Sequence, residues 1–175
     1  MIPDLSIRIC ESEDANRLAV LATQVWLHTY ATDGITADIA EYVLQELTPE
    51  KYLRTLNDPT SQVFAAKSGA SLVGLAIVKF DATCPASNST SVELQTLYVQ
   101  EHFLGRGVGK LLLRAAEARA RQQSNAVLWL TVNAMNAKAI AFYADRGYQK
   151  VGTTYFVLGD GRHENYVLIG PDAQR

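Results

Sequence analysis

The chain contains few of the residues that build disulfide frameworks, metal centres or nucleic-acid interfaces. Cys10 and Cys84 are its two cysteines, and their separation gives neither a disulfide pattern nor a metal-ligand spacing. The three histidines are scattered as well, so we expect no metal site and a reducing, cytoplasmic environment. A formal net charge of −2 at pH 7 provides no basic field that would attract nucleic acid.

Long apolar segments are also missing. No run of about 18 or more apolar residues is present, so we expect no membrane span. The chain begins with Met1-Ile2-Pro3-Asp4 rather than with a basic start and an apolar run, which also argues against a signal peptide. Its 175 residues, of which 48% are hydrophobic, suffice for one domain over 1–175 with a sizeable core.

Hydrophobic periodicity predicts a mixed order of strands and helices. The first elements are a strand over Leu5–Cys10 and a helix that begins after an N-cap at Ser12 and reaches Tyr30. The others are, in order, helices over Asp38–Leu47 and Pro49–Leu56, strands over Gln62–Lys67, Ser71–Phe80 and (after a loop over Ala82–Thr90) Ser91–Val99, a helix over Val108–Gln123, a strand over Ala126–Val132, a helix over Ala137–Ala144, and strands over Tyr148–Leu158 and Arg162–Ile169. This order is typical of an α+β fold built on a mixed sheet.

The most informative segment is Leu104–Lys110, which we call the glycine-rich turn. It follows a predicted strand, contains glycine at alternate positions and opens a predicted helix. Glycine allows positive φ angles and lets backbone amides approach a ligand closely. The positive end of the helix dipole favours an anion at the same place. An arginine and a lysine in the turn add positive charge, so the pattern indicates a phosphate-binding turn.

Two other phosphate-binding motifs do not fit this spacing. A Walker loop requires glycine at position 104 and Ser or Thr at position 111, where this chain has Leu104 and Leu111. In a dinucleotide fingerprint the third glycine would come one residue later than Gly109. A turn that merely starts a helix remains an alternative.

Two sequence blocks resemble the GCN5-related N-acetyltransferase (GNAT) superfamily. There a strand leads into (Gln/Arg)-x-x-Gly-x-(Gly/Ala), whose amides bind the pyrophosphate of acetyl-CoA; here Leu104 occupies the Gln/Arg place. The second block is a strand–helix segment with Trp129–Asn133, Asn136 and Ala139–Tyr143. The resemblance spans nearly the whole chain. It implies an α+β fold with a mixed, mostly antiparallel sheet flanked by helices on both faces, and an N-acetyltransferase that uses acetyl-CoA as co-substrate without a metal.

A finer likeness is to the PaiA-type spermidine/spermine acetyltransferases. It depends on Ser91–Leu94, on Leu97–Val99 and on the tail Gly152–Asp160. Leu97 and Val99 are expected to bond the pantetheine arm through their backbone, because in this family the strand before the turn diverges from the strand at Ala126–Val132. The residues that the resemblance assigns to acetyl-CoA are Leu97, Tyr98, Val99, Leu104, Gly105, Arg106, Gly107, Val108, Gly109, Lys110, Asn136 and Tyr143.

The resemblance also implies two catalytic residues. Glu93 matches the family's catalytic glutamate, and it is interpreted as a general base, as the end of a water relay or as an attraction for a cationic acceptor; a solvated strand residue without a catalytic role is the alternative. Tyr143 matches the general acid that protonates the departing thiolate; the alternative is a core aromatic residue. Asn136 matches a cofactor contact, although an N-cap role alone would explain it.

The acceptor is the least determined part of this interpretation. Trp26, His28, Thr29, Tyr30 and Asp33 crowd the end of the first predicted helix, and aromatic rings beside a carboxylate would suit a cationic amine. Core packing is the better interpretation of Trp26. The hypotheses are a small amine such as a polyamine, a peptide or protein amine, or a non-enzymatic acyl-CoA sensor. Exposed strand edges in the C-terminal hairpin are compatible with a homodimer.

Overall fold

A computed structural model of the chain describes residues 4–87, 90–124 and 126–171. The chain divides into two compact units. The first comprises Met1–Val78 and Thr96–Ala116, and the second comprises Lys79–Gln95 and Glu117–Arg175.

The first unit is built from α-helices packed on the first strands of a sheet. Its elements are β1 (Leu5–Ile9), α1 (Ala15–Tyr30), α2 (Ala37–Glu46), α3 (Pro49–Asn57), β2 (Ser61–Ser68), the beginning of β3 (Ser71–Thr83), the end of β4 (Thr90–Val99) and the beginning of α4 (Val108–Ser124). β1 pairs with β2 in antiparallel orientation, with Ile7 opposite Ala66. Leu18 and Ala22 of α1 pack with Leu75 of β3 in one buried cluster, so the apolar stripe of α1 forms the core of this unit.

The predicted N-cap at Ser12 was wrong. Ser12–Asp14 form a 3-10 turn before α1, and the Ser12 hydroxyl lies 3.2 Å from Asn57 Oδ1. The buried Asp14 carboxylate instead accepts hydrogen bonds from the Glu11 N–H and from both terminal nitrogens of Arg8. The hydrogen bonds from Arg8 hold the pKa of Asp14 below its usual value.

The second unit contains a helical segment and the C-terminal strands. Its elements are the end of β3, the beginning of β4 (Thr90–Val99), the end of α4 (Val108–Ser124), β5 (Leu128–Asn133), α5 (Ala137–Ala144), β6 (Gln149–Leu158) and β7 (Gly161–Ile169). β4 and β5 are parallel, whereas β7 pairs antiparallel with both β5 and β6. The strand order is β1-β2-β3-β4-β5-β7-β6. The predicted α+β class with a mixed, mostly antiparallel sheet is therefore confirmed.

Several predicted boundaries need correction. β3 continues through Thr83, so the predicted loop over Ala82–Thr90 is shorter than expected, and 88–89 lie outside the described residues. β5 begins at Leu128 rather than at Ala126. A 3-10 turn at Glu101–Phe103, which the sequence pattern did not indicate, precedes the glycine-rich turn.

Within the described part of the chain, no helix is both long and apolar enough to cross a membrane. The same residues contain no group of three or more His, Cys, Asp or Glu side chains that could hold a metal ion. Cys10 and Cys84 are free and buried.

Candidate active site

The predicted site residues fall into two groups, which we describe separately because they belong to different units. The first unit contains Leu97, Tyr98, Val99 and the glycine-rich turn, and the second contains Glu93, Asn136 and Tyr143.

The glycine-rich turn has the backbone geometry that an anion-binding turn requires. Gly105 and Gly107 have φ angles of +70° and +86°, and a Cβ at either would meet no atom within 4 Å. The Leu111 N–H donates to the Gly107 carbonyl at 3.1 Å, which closes the first turn of α4. The N–H groups at Val108–Lys110 therefore precede the first intrahelical bond and lie at the positive end of the helix. Open space and donors at a helix start suit a bound diphosphate.

A close backbone contact supports this turn. A Cβ at Gly74 of β3 would lie 2.8 Å from the Tyr98 carbonyl oxygen and 3.2 Å from Val108 Cγ1. The Gln100 N–H donates to the Val73 carbonyl at 2.9 Å. These contacts fix the end of β4 and the start of α4 on β3. Gly74 was missed by the sequence analysis, although a glycine inside an apolar strand is a known signal of close backbone approach.

Charged residues surround the glycine-rich turn. The Arg106 guanidinium lies 5.8 Å from the centre of the Phe103 ring, and both Arg106 and Lys110 are exposed. His28 Nδ1 lies 3.2 Å from a carboxylate oxygen of Glu101. The acidic side chain that precedes the turn is therefore paired with His28. The two cations are therefore available to an anion from solvent.

Glu93 lies on β4 in the second unit and is partly buried. Burial raises the pKa of its carboxyl group above the usual value, and the positive charge of Lys79 opposes that rise. The residue opposite Glu93 is Trp129 of β5. Within this unit the paired residues of β4 and β5 are Val92 with Leu128 and Glu93 with Trp129.

Tyr143 and Asn136 lie at opposite ends of α5. Asn136 is the N-cap, because its Oδ1 accepts the Ala139 N–H at 3.0 Å; its amide nitrogen is not needed for that role. Tyr143 is buried, with its ring centre 5.1 Å from that of Phe142 and 5.5 Å from that of Tyr148. Helical spacing predicted both positions correctly.

The aromatic residues at the end of α1 form a cluster with a residue that the sequence analysis missed. Trp26 is buried, as expected, and its ring stacks on Tyr42 of α2 at 4.7 Å and lies 5.0 Å from Tyr30. Burial raises the pKa of the partly buried Tyr42, so its phenol is neutral at pH 7. The Thr29 hydroxyl donates a hydrogen bond to the Val25 carbonyl in the same helix, α1. Tyr42 could not be predicted here because its contact depends on the packing of two separate helices.

Comparison with known proteins gives consistent results. The profile of the acetyltransferase (GNAT) family matches residues 24–148. The chain is 28% identical to an uncharacterized N-acetyltransferase in the pepI 3′ region of Lactobacillus delbrueckii subsp. lactis, over 89% of this chain and 91% of that protein. It is 33% identical to the N-alpha-acetyltransferase RimI of Mycobacterium tuberculosis, over 71% of this chain and 70% of that protein.

Among solved structures, the chain is similar to the PaiA N-acetyltransferase of Thermoplasma acidophilum in complex with coenzyme A. The TM-score is 0.79 at 22% identity, over 95% of this chain and 98% of that one; this likeness shows the fold. The family match covers most of the chain, including the whole glycine-rich turn and Tyr143. The chain therefore belongs to the acetyltransferase (GNAT) family and is an N-acetyltransferase that uses acetyl-CoA as its co-substrate.

Proposed function

We propose that this enzyme transfers the acetyl group of acetyl-CoA to the primary amine of a small cationic acceptor, such as a polyamine. The observation that carries the proposal is the Glu93 carboxylate, whose pKa is raised by burial. A primary amine with a pKa near ~10.4 is neutral in only about one molecule in two thousand at pH 7. A partly desolvated carboxylate is a stronger base than a free one, so it can take a proton from the bound ammonium group before the nitrogen attacks.

The proposed cofactor site comprises the residues assigned to acetyl-CoA above. The N–H groups over Gly105–Gly109 bind the diphosphate, and Arg106 and Lys110 add charge. The backbone of Leu97 and Val99 bonds the pantetheine arm. The positive φ angles of the turn and the open space over it support this assignment.

In the proposed reaction, Glu93 accepts a proton from the acceptor ammonium, directly or through water. The neutral nitrogen attacks the thioester carbonyl and forms the new C–N bond. The C–S bond then breaks, the thiolate of CoA takes a proton from the Tyr143 phenol, and the extra proton on the nitrogen passes through water to the Tyr143 phenolate. The proton on Glu93 is then released to solvent. The products are the N-acetyl amine, CoA and one released proton.

The cationic acceptor is supported by the aromatic cluster of Trp26, Tyr30 and Tyr42. Neutral aromatic rings attract ammonium groups, and Tyr30 is exposed at the end of α1. Such a surface favours a polyamine over an uncharged amine.

A second candidate is acetylation of a peptide α-amine. It is favoured by the relative at 33% identity, which is named an N-alpha-acetyltransferase. An α-amine has a pKa near ~7.7–8.0 and needs less help from a base. The two candidates therefore differ in how strongly they depend on Glu93.

The experiment that separates the candidates measures release of free CoA thiol from acetyl-CoA with a panel of acceptors. Spermidine, spermine and short peptides with different N-terminal residues are compared with a control without acceptor. We expect polyamines to give the largest kcat/KM. Turnover confined to peptides would replace the polyamine proposal with the second candidate, and no turnover with any amine would contradict both.

The role of Glu93 is tested by Glu93→Gln, for which we expect kcat/KM with a polyamine to fall by about 10²-fold or more. The matched control is Glu164→Gln, the same change at an exposed position on β7. Equal activities of the two variants would remove Glu93 from the chemistry.

We also propose that the chain forms a homodimer along β6. β6 is the last strand in the sheet order, and residues 151–158 contain neither a charged residue nor proline, the features that usually prevent edge pairing. In an antiparallel self-pairing centred on Tyr155, Lys150 of each copy lies opposite Asp160 of the other, which gives complementary charge at both ends.

A further inference from the structure

Trp129 of β5 has a buried hydrogen-bond donor without a protein acceptor. Its side chain is only 5% exposed and packs with Cys84 and Val167. Within the described residues, the indole Nε1 has no hydrogen-bond partner. A buried donor without a partner is destabilising, so its presence in the second unit requires an explanation.

The strand register places this donor beside Glu93. Glu93 and Trp129 are direct partners in the parallel pair of β4 and β5, and neighbouring strands lie about 4.8 Å apart. Opposed residues project from the same face of a sheet. The indole and the carboxylate therefore belong to neighbouring side chains on one face of the β4–β5 pair.

The chemistry of the two groups specifies what fits between them. An indole N–H only donates, and an ionised carboxylate only accepts. The ammonium group of an amine acceptor also only donates, so it cannot satisfy the indole. A water molecule can do so, because its oxygen accepts from Trp129 while its own hydrogen is donated to Glu93.

We propose that Trp129 is a positioning residue that holds the water between the Glu93 carboxylate and the acceptor amine, an inference that rests on the proposed function of Glu93. The ammonium proton moves to the water oxygen while one of the water's own protons moves to a Glu93 oxygen. The water is thereby regenerated, Glu93 becomes a carboxylic acid, and the Trp129 N–H bond stays intact. Lys79 is the charged residue that acts on Glu93 from β3.

The test is Trp129→Phe, which removes the N–H and keeps an aromatic ring. We expect kcat/KM for the acceptor to fall by about tenfold, the effect of losing one hydrogen bond in the transition state. The acid limb of the pH profile should move to higher pH, because the water then stabilises the ionised carboxylate less well. In a Glu93→Gln background, Trp129→Phe should cause no further loss.

Val167→Ala is the packing control, because it disturbs the same cluster but removes no donor. It should lower the melting temperature without moving the acid limb. An acid limb that moves equally in Trp129→Phe and Val167→Ala would overturn the inference. If kcat/KM falls in Glu93→Gln but not in Trp129→Phe, the role of Trp129 is overturned and the proposed function stays intact. If kcat/KM is unchanged in both variants, Glu93 has no role in the reaction.

An isosteric variant covers the case in which Trp129→Phe folds poorly. In a Trp26→Phe background, residue-specific incorporation of benzothienylalanine replaces the remaining indole N–H by sulfur at nearly constant ring size. Compared with the same background containing tryptophan, the tenfold loss and the shifted acid limb should recur. Unchanged kinetics would contradict the inference.

Discussion

Two buried tyrosines of the second unit, Tyr143 and Tyr148, have ring centres 5.5 Å apart. The Tyr148 hydroxyl donates to a Glu117 carboxylate oxygen at 3.1 Å, and burial raises the pKa of Tyr148. We therefore give Tyr148 a structural role, and Tyr143 remains the proposed proton donor. For Tyr143→Phe we expect kcat to fall by about 10²-fold while KM for acetyl-CoA stays nearly constant, because an acid acts only in the transition state.

Tyr148→Phe provides the matched control in steady-state kinetics. It removes a buried phenol at the same helix–strand junction, so it should lower stability by about 1–2 kcal/mol through loss of the bond to Glu117 and preserve kcat. A parallel rise in KM for acetyl-CoA in Tyr143→Phe would indicate a cofactor-binding role instead.

The raised pKa of Glu93 also makes a prediction about folding. The pKa of such a carboxyl group is higher in the folded than in the unfolded protein. Below the pKa in the unfolded protein, near ~4.3, the group is protonated in both states and does not reduce the stability of the fold. As pH rises through the folded-state pKa, the buried charge reduces the free energy of unfolding. Glu93→Gln should therefore be more stable than the parent at pH 7, and chemical denaturation should show this advantage shrinking toward pH 4. A constant difference across that range would contradict the shift.

At the residue scale, the sequence identified side chains but not their neighbours. The family resemblance singled out Tyr143 and Asn136, and the apolar spacing predicted the helix on which they lie. Trp129 was visible only as part of an apolar run, since its relation to Glu93 depends on the register of two strands from distant parts of the chain. Register is set by packing and turns rather than by local pattern.

At the element scale, alanine variants of two glycines distinguish the cost of backbone strain from the loss of ligand binding. Gly107 and Gly34 both have positive φ angles, +86° and +105°, and a Cβ at either meets no atom within 4 Å. Gly107→Ala and Gly34→Ala should each cost about 1–2 kcal/mol of stability from strain alone. We expect only Gly107→Ala to raise KM for acetyl-CoA, by about tenfold or more, because its methyl group occupies the space proposed for the diphosphate. Titration with CoA and thermal unfolding measure the two effects; equal CoA affinities in both variants would mean that the diphosphate binds elsewhere.

The helices were predicted better than the strand ends. α4 was expected to end at Gln123 and ends at Ser124, since its apolar period is long and regular. β3 was cut short at Phe80, although it continues past Asp81, which has a φ angle of +57°. The predicted N-cap at Ser12 was wrong because Asp14, whose carboxylate accepts hydrogen bonds from Arg8 of β1, lies at the start of α1 instead. Local propensity does not contain such contacts.

At the scale of the whole molecule, the open edge of β6 remains to be explained. An edge strand without charge over residues 151–158 is an aggregation hazard unless another chain covers it. Self-pairing through the edge would bury the exposed apolar side chains Val151, Tyr155 and Val157. It would also restrict the number of copies to two, because a two-fold contact uses the same surface on each copy.

Val157→Lys tests this arrangement, because its side chain is 64% exposed on β6. A lysine there would lie opposite Thr153 of the second copy in the proposed pairing and would place a charge in the interface. We expect light scattering to give a dimer mass for the parent and a monomer mass for the variant. Val20→Lys is the matched control, since Val20 is 70% exposed on α1 and should tolerate lysine without a change in mass. The proposed dimer along β6 would be contradicted if the parent were monomeric at micromolar concentration or if the variant stayed dimeric. A monomeric variant with unchanged kcat would show that each copy carries a complete site.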